Sequence, residues 1–206
     1  MTDRSPAPTL LRDTGRGNEA AILNAALAAF GEKGFHGASM RDVARGAATS
    51  LSNLYNYFPA KSDLLAALLR MANDELLRRI ETAVDGAGRR AAARLRAAVV
   101  AHVGFVVEHQ VLSLVALSEI RYLTGAARTR VVAARDSTQG IYEEIVAAGV
   151  ASGEFGTPYP DDAARNIVSL CSAISTWYRA DGRLSTEELG EQHARYALAL
   201  LEARLP

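Results

Sequence analysis

Ser52, Asn53, Asn56 and Tyr57 crowd into six residues with no charged side chain among them, and their chemistry is that of hydrogen-bond readers. An asparagine amide can pair bidentately with an adenine edge, a serine hydroxyl can donate to or accept from either base, and a tyrosine hydroxyl can reach a phosphate. No Lys or Arg stands between Ser50 and Ala60, so the common bidentate guanine contact cannot come from this stretch. Cations must come from its flanks. Arg41 and Arg45, four residues apart, share one helical face, and Lys61 follows Pro59 at the expected start of a helix, where free N–H groups and the helix dipole add to its pull on a phosphate. With Ser50 and Tyr55, the candidate DNA-contacting set is Arg41, Arg45, Ser50, Ser52, Asn53, Tyr55, Asn56, Tyr57 and Lys61.

Two short helices must hold that set in place. Ser39 can cap the first, with Asp42 three residues on as its capping-box partner, and Met40, Val43 and Ala44 then share an inward face. Gly46, Ala47 and Ala48 are small enough for a sharp change of direction, and Thr49 or Ser50 can cap the second helix. Leu51, Leu54 and Tyr55 or Phe58 would anchor that helix, leaving Ser52, Asn53, Asn56 and Tyr57 outward. The layout is a helix-turn-helix, which implies a DNA-binding protein.

Other chemistries find less support. His102 and His109 lie seven residues apart on an apolar stretch, with Phe105 and Val106 between them, but zinc needs a third ligand and none stands at matching spacing. A core or pocket-lining role is the reading for both. Ser118, Glu119, Arg121 and Tyr122 form a polar cluster after the apolar run 111–117, either a solvated helix end or the mouth of a pocket. Cys171, the sole cysteine, sits in the apolar run 167–174 as an inert buried thiol, and it excludes an intrachain disulfide. There is no nucleophile elbow, phosphate loop or dinucleotide fingerprint. Asp161 and Asp162 are adjacent and follow Pro160 as helix-capping acids would. No catalytic residue, metal or cofactor is expected.

The chain has 206 residues, 49% of them apolar, enough for a small domain and a larger one, and its Ala and Leu content with little Pro implies an all-α protein. Formal net charge is zero, which excludes a general polycation or polybasic membrane attachment. The first 61 residues carry seven Lys and Arg against five Asp and Glu, the mild excess of a site-specific reader. Residues 1–17 lack the apolar run of a signal peptide, and the most apolar stretch, 97–107, is interrupted by His102 and too short to span a membrane. Cytoplasm is the expected location.

The expected organisation is a flexible arm over 1–17, a helix-turn-helix domain over 18–65, and a helical effector-binding and dimerisation domain over 66–206. A long helix over about 60–84 would be shared between the domains. Further helices are expected near 89–108, 111–122, 126–151, 161–179 and 186–204, with turn-rich breaks at 153–160 and 180–183 and a capping box of Ser185 and Glu188 opening the last. The final two helices carry more apolar positions than one buried stripe needs, including Ile167, Leu170, Ile174, Trp177, Leu189, Tyr196, Leu200 and Leu201.

Residues 1–69 resemble the DNA-binding domain of the TetR family of bacterial repressors. Residues 22–35 resemble its first helix and glycine stop, and Leu54, Tyr55, Phe58, Lys61, Leu64 and Leu65 match its L-Y-x-x-F-x-x-K-x-x-L-L signature. Ala48 stands where the family usually has a turn glycine, and Thr49 where it usually has Val. The resemblance implies a homodimer paired through its last two helices and a repressor released from its operator by a small hydrophobic effector. Within residues 118–201, Glu119 to Arg121, Arg135 with Asp136, and the run from Trp177 to Ser185 resemble the branch that controls fatty-acid and sterol-ring degradation and responds to acyl-CoA thioesters. An acyl-CoA needs an apolar tunnel and cations for its phosphates, for which Arg121, Arg128, Arg130, Arg135 or Arg179 are available. The candidate ligand-binding set is His102, Phe105, Val106, His109, Ser118, Arg121, Tyr122, Tyr142, Ser175 and Tyr178. The alternative is a helical small-molecule-binding protein or enzyme without operator binding.

Overall fold

The computed structural model describes residues 17–204, so the expected arm lies outside the described residues except for Gly17. Among the described residues there are nine α-helices and no strand: α1 (Gly17–Gly37), α2 (Met40–Gly46), α3 (Leu51–Tyr57), α4 (Lys61–Gly86), α5 (Ala91–Glu108), α6 (Gln110–Glu119), α7 (Gly125–Ala151), α8 (Pro160–Trp177) and α9 (Thr186–Leu200). One 3-10 turn, Ile120–Tyr122, follows α6. The chain divides into two compact units, one holding residues up to 72 together with 111–131, the other holding 73–110 and 132 onward. A division at 65/66 therefore leaves out of the first unit the segment 111–131, which packs with it.

The first unit is built around the apolar stripe of α1. Ile22, Leu23, Ala26, Leu27 and Phe30 are buried, joined by Val43 and Ala44 of α2, Leu54 of α3, and Leu64, Leu65, Leu68 and Leu69 of α4. Leu112, Val115 and Leu123 complete that core from the later segment. Such a stripe with polar residues opposite is what makes short helices stable in context. Gly34, at φ 68, breaks α1 near its end, a backbone setting that favours glycine. Gly46 lets α2 lie against α1, since a Cβ there would meet the Ala25 Cβ at 3.1 Å.

The second unit packs α5 against α8 and α9. Leu95, Ala98, Val99, Val103 and Val106 of α5 are buried, as are Tyr142, Ile145 and Val146 of α7, Ile167, Cys171 and Ile174 of α8, and Leu189, Ala194 and Ala197 of α9. The cap Arg90 offers no side-chain hydrogen bond to α5, so Glu154 from the loop after α7 accepts from the Ala91 and Ala92 N–H groups at 3.1 and 3.2 Å. Those two bonds, with Arg90 nearby, pull the Glu154 carboxyl below its usual range. The loop also ends α9 early: Gly156 and Thr157 donate to Leu201 O and Arg204 donates to Glu154 O, so α9 closes at Leu200 and not at 204. Helix α8 starts at Pro160, and its Trp177, half-exposed, stacks on His193 of α9 at 6.1 Å between ring centroids.

Candidate nucleic-acid interface and ligand core

Helix α2 opens on a complete capping box. Asp42 N–H donates to Ser39 Oγ at 3.1 Å, and Ser39 N–H donates back to Asp42 Oδ2 at 3.1 Å. The Ser39 hydroxyl and N–H, with Lys33 beside them, hold the Asp42 carboxyl far below the ordinary carboxylate range. The turn closes with Ala48 at φ 51, the left-handed conformation that a glycine would take without cost. Ser50, not Thr49, caps α3, its hydroxyl accepting the Asn53 N–H at 3.1 Å.

The reading helix presents its side chains unevenly. Leu54 is buried and Phe58 nearly so, whereas Tyr55 is exposed, so the anchor is Phe58 and Tyr55 faces solvent. Ser52 and Asn56 are exposed, and Tyr57 is half-buried. Asn53 is also half-buried, and its amide donates to Thr49 Oγ1 at 2.8 Å, so one of its donors is engaged by the turn that precedes the helix.

The cations divide into free and engaged. Arg45 and Lys33 both reach Asp42, at 2.5 and 3.3 Å, while Arg41 is exposed with no ion-pair partner among the described residues. Lys61 has an internal occupation: its ammonium donates to Phe35 O at 2.5 Å and Ala38 O at 2.7 Å and lies 4.5 Å over the Phe35 ring. It thus ties the end of α1 to the start of α4. Phe35 N–H donates to Glu119 Oε2 at 2.9 Å, and Tyr122 stacks on Phe35 at 5.4 Å and meets His36 edge-on at 4.3 Å. Ser118, Arg121 and Tyr122 therefore belong to the unit that carries the helix-turn-helix. Ser118 bonds Leu114 O and Glu119, and Arg121 is exposed.

The remaining candidate ligand residues lie in the second unit. His102 is fully buried, with Nδ1 3.2 Å from Tyr142 Oη and Nε2 3.4 Å from Ser172 Oγ. Because Tyr142 donates its hydroxyl hydrogen to Ala98 O at 3.2 Å, the imidazole donates from Nδ1 and accepts at Nε2. Burial pushes His102 down to about 4, the Cys171 thiol up to about 12 and the Tyr142 phenol well above its ordinary value, so all three are neutral near pH 7. Val106 and Phe105 are buried. The Phe105 ring lies 4.9 Å from that of His109, whose Nε2 meets Arg79 at 3.3 Å and Glu108 at 3.4 Å. Ser175 bonds Ser172 O of its own helix, and Gln110 donates to Ser175 O at 3.2 Å and Tyr178 O at 2.8 Å.

Sequence reasoning missed Ser172, Gln110 and Arg79. Ser172 stands three residues before Ser175 on α8, the one signal that could have found it. Three buried polar atoms of this unit, Asn73 Nδ2, His109 Nδ1 and Thr138 Oγ1, have no hydrogen-bond partner among the described residues. No group of three His, Cys, Asp or Glu side chains among the described residues could hold a metal ion. No single described helix is long and apolar enough to cross a membrane.

A capped helix, a left-handed turn residue and an uncharged reading helix, joined in one chain to a larger all-helical body, define a helix-turn-helix regulator. Residues 22–68 match the bacterial regulatory proteins of the tetR family, and residues 88–201 match the tetracyclin repressor-like C-terminal domain. The chain belongs to the TetR family: it is a DNA-binding transcriptional regulator of the repressor type, not an enzyme. It is similar to the HTH-type transcriptional repressor KstR2 of Mycobacterium tuberculosis (strain CDC 1551 / Oshkosh), 25% identical over 179 residues that cover 86% of this chain and 89% of that one. Two solved structures share the fold. A tetR-family regulatory protein from Rhodococcus RHA1 superposes with TM-score 0.87 at 24% identity, covering 93% of this chain and all of the other. AibR, solved in complex with isovaleryl coenzyme A and operator DNA, gives TM-score 0.80 at 23% identity, covering 92% of this chain and all of its own.

Proposed function

We propose that the protein is a homodimeric, cytoplasmic repressor that holds a palindromic operator through Ser52, Asn56 and Asn53, and that an acyl-CoA thioester releases it. The observation that carries the effector half is the set of buried polar atoms without partners in the second unit, Asn73 Nδ2, His109 Nδ1 and Thr138 Oγ1. Buried polar groups are ordinarily satisfied, and unsatisfied ones amid apolar packing fit a ligand site that is mostly apolar with a few convergent polar groups. The neutral His102, Tyr142 and Ser172 network adds donors and acceptors without charge, which suits a thioester or a carbonyl better than a free carboxylate. The likeness to AibR, whose solved complex contains isovaleryl coenzyme A, favours the acyl-CoA class.

The dimer is supported by the exposed face of the last two helices. Trp177, Tyr196 and Leu200 are each about half exposed, an apolar grouping that a second copy would cover and that a two-fold operator requires. The deciding experiment is a gel shift on the DNA upstream of the protein's own gene, titrated with isovaleryl-CoA, longer acyl-CoAs and free CoA. Retardation that an acyl-CoA relieves and free CoA does not is the expected result. Relieving a tenfold affinity requires about 1.4 kcal/mol of preference for the released conformation. Unrelieved retardation with every thioester would remove the effector class and leave the DNA reader.

A further inference from the structure

We infer that the corner between α6 and α7, carrying Arg121, Arg128 and Arg130, is a second phosphate-contacting surface that extends the DNA footprint beyond the helix-turn-helix. The inference rests on the DNA-binding reading and starts from a shortage. The reading helix has no cation, Lys33 and Arg45 are drawn to Asp42, and Lys61 is spent on the carbonyls of Phe35 and Ala38. Of the eight Lys and Arg among the described residues of this unit, six have no ion-pair partner among those residues, and with Lys61 held by carbonyls that leaves Arg41, Arg70 and the three of the corner. All three corner arginines are exposed.

The placement of Arg121 is fixed by contacts inside the unit, and Arg128 and Arg130 follow it on the first turns of α7. Arg121 lies 5.0 Å over the Tyr122 ring, Tyr122 stacks on Phe35, and the Phe35 carbonyl is held by Lys61 at the first residue of α4. Glu119 anchors the same point through the Phe35 N–H. The corner is thus locked to the end of α1 and the start of α4, the elements that flank the reading motif. Within residues 17–72 five Lys and Arg face four Asp and Glu, and the segment 111–131 adds three against one, so it supplies most of the positive excess among the unit's described residues. Exposed, unpaired arginines on a body that docks to a duplex bind phosphate oxygens and carry no sequence information.

The test is fluorescence anisotropy with the protein's upstream duplex and an unrelated duplex of equal length, each from about 50 to about 200 mM salt. Arg121→Ala is expected to lower the slope of log affinity against log salt by about 2 for a dimer, one phosphate per protomer, and replacement of all three arginines by more. The preference between the two duplexes should stay unchanged, Arg121→Lys should restore the slope, and the melting temperature shows whether each variant folds. A folded triple variant with the wild-type slope overturns the inference. So does a variant that loses only acyl-CoA affinity, which would give the corner to the effector's phosphates. Wild-type protein that binds neither duplex would overturn the operator reading along with this one, whereas wild-type binding with unaltered slopes overturns this one alone.

Discussion

His102 should make the protein lose stability on mild acidification, in a window above that of the carboxylates. Its imidazole is buried against Tyr142 and Ser172 with no carboxylate in contact, and burial lowers it from the ordinary 6.5 to about 4. A histidine whose folded value is depressed binds fewer protons when folded than when unfolded, so its contribution is fully present above pH 6.5 and is lost as pH falls toward 4. With those two values the loss between pH 7 and pH 5 is about 2 kcal/mol per chain, rising to about 3 kcal/mol below both. His109, also lowered by burial, loses stability in the same direction. The perturbation is His102→Gln, which keeps a neutral donor and acceptor of similar reach. Urea midpoints of wild type and variant, measured at steps from pH 7.5 to 4.5, isolate the term. The wild type should lose about 2 kcal/mol more than the variant by pH 5, whatever the variant costs at pH 7.5. Parallel curves for the two proteins would refute the neutral, buried assignment.

Further outcomes follow from other sites. Ala48→Gly should raise stability by about 0.5–1 kcal/mol, or about 1–4 °C by calorimetry, because φ 51 favours glycine and the exposed methyl packs little. Asn56→Ala should cost about 1–3 kcal/mol of discrimination between operator and mismatched DNA in competition gel shifts, and Asn53→Ala less, since its amide already donates to Thr49. Glu119→Ala strands the Phe35 N–H and should destabilise by about 1–3 kcal/mol in chemical unfolding. Leu200→Glu should weaken self-association by several kcal/mol in sedimentation, and a wild type that sediments as a monomer at micromolar concentration would remove the dimer.

What the sequence made legible was local. The capping boxes of Ser39 with Asp42 and Ser185 with Glu188 need only three residues of spacing, and both form. The strained Ala48 was visible as a departure from the expected glycine. What escaped was set by tertiary contact. Lys61 reads as a free cation until the chain 26 and 23 residues earlier brings two carbonyls to it. Ser172 and Gln110 acquire partners 70 and 65 residues away, which no periodicity encodes. Segment 111–131 has the composition of any apolar helix with a polar end, so its membership in the first unit depended on Phe35 meeting Glu119 and Tyr122.

The chain's single tryptophan makes the protein its own optical reporter. Trp177 sits at the last position of α8, half in water, with its ring flat against His193 of α9. A second copy closing over that face would take the indole out of water and shift its emission to shorter wavelength, with no other indole to dilute the change. Simple dilution in a fluorimeter cuvette would then trace the association curve of unlabelled protein, and the same signal would show whether effector or DNA tightens the pair.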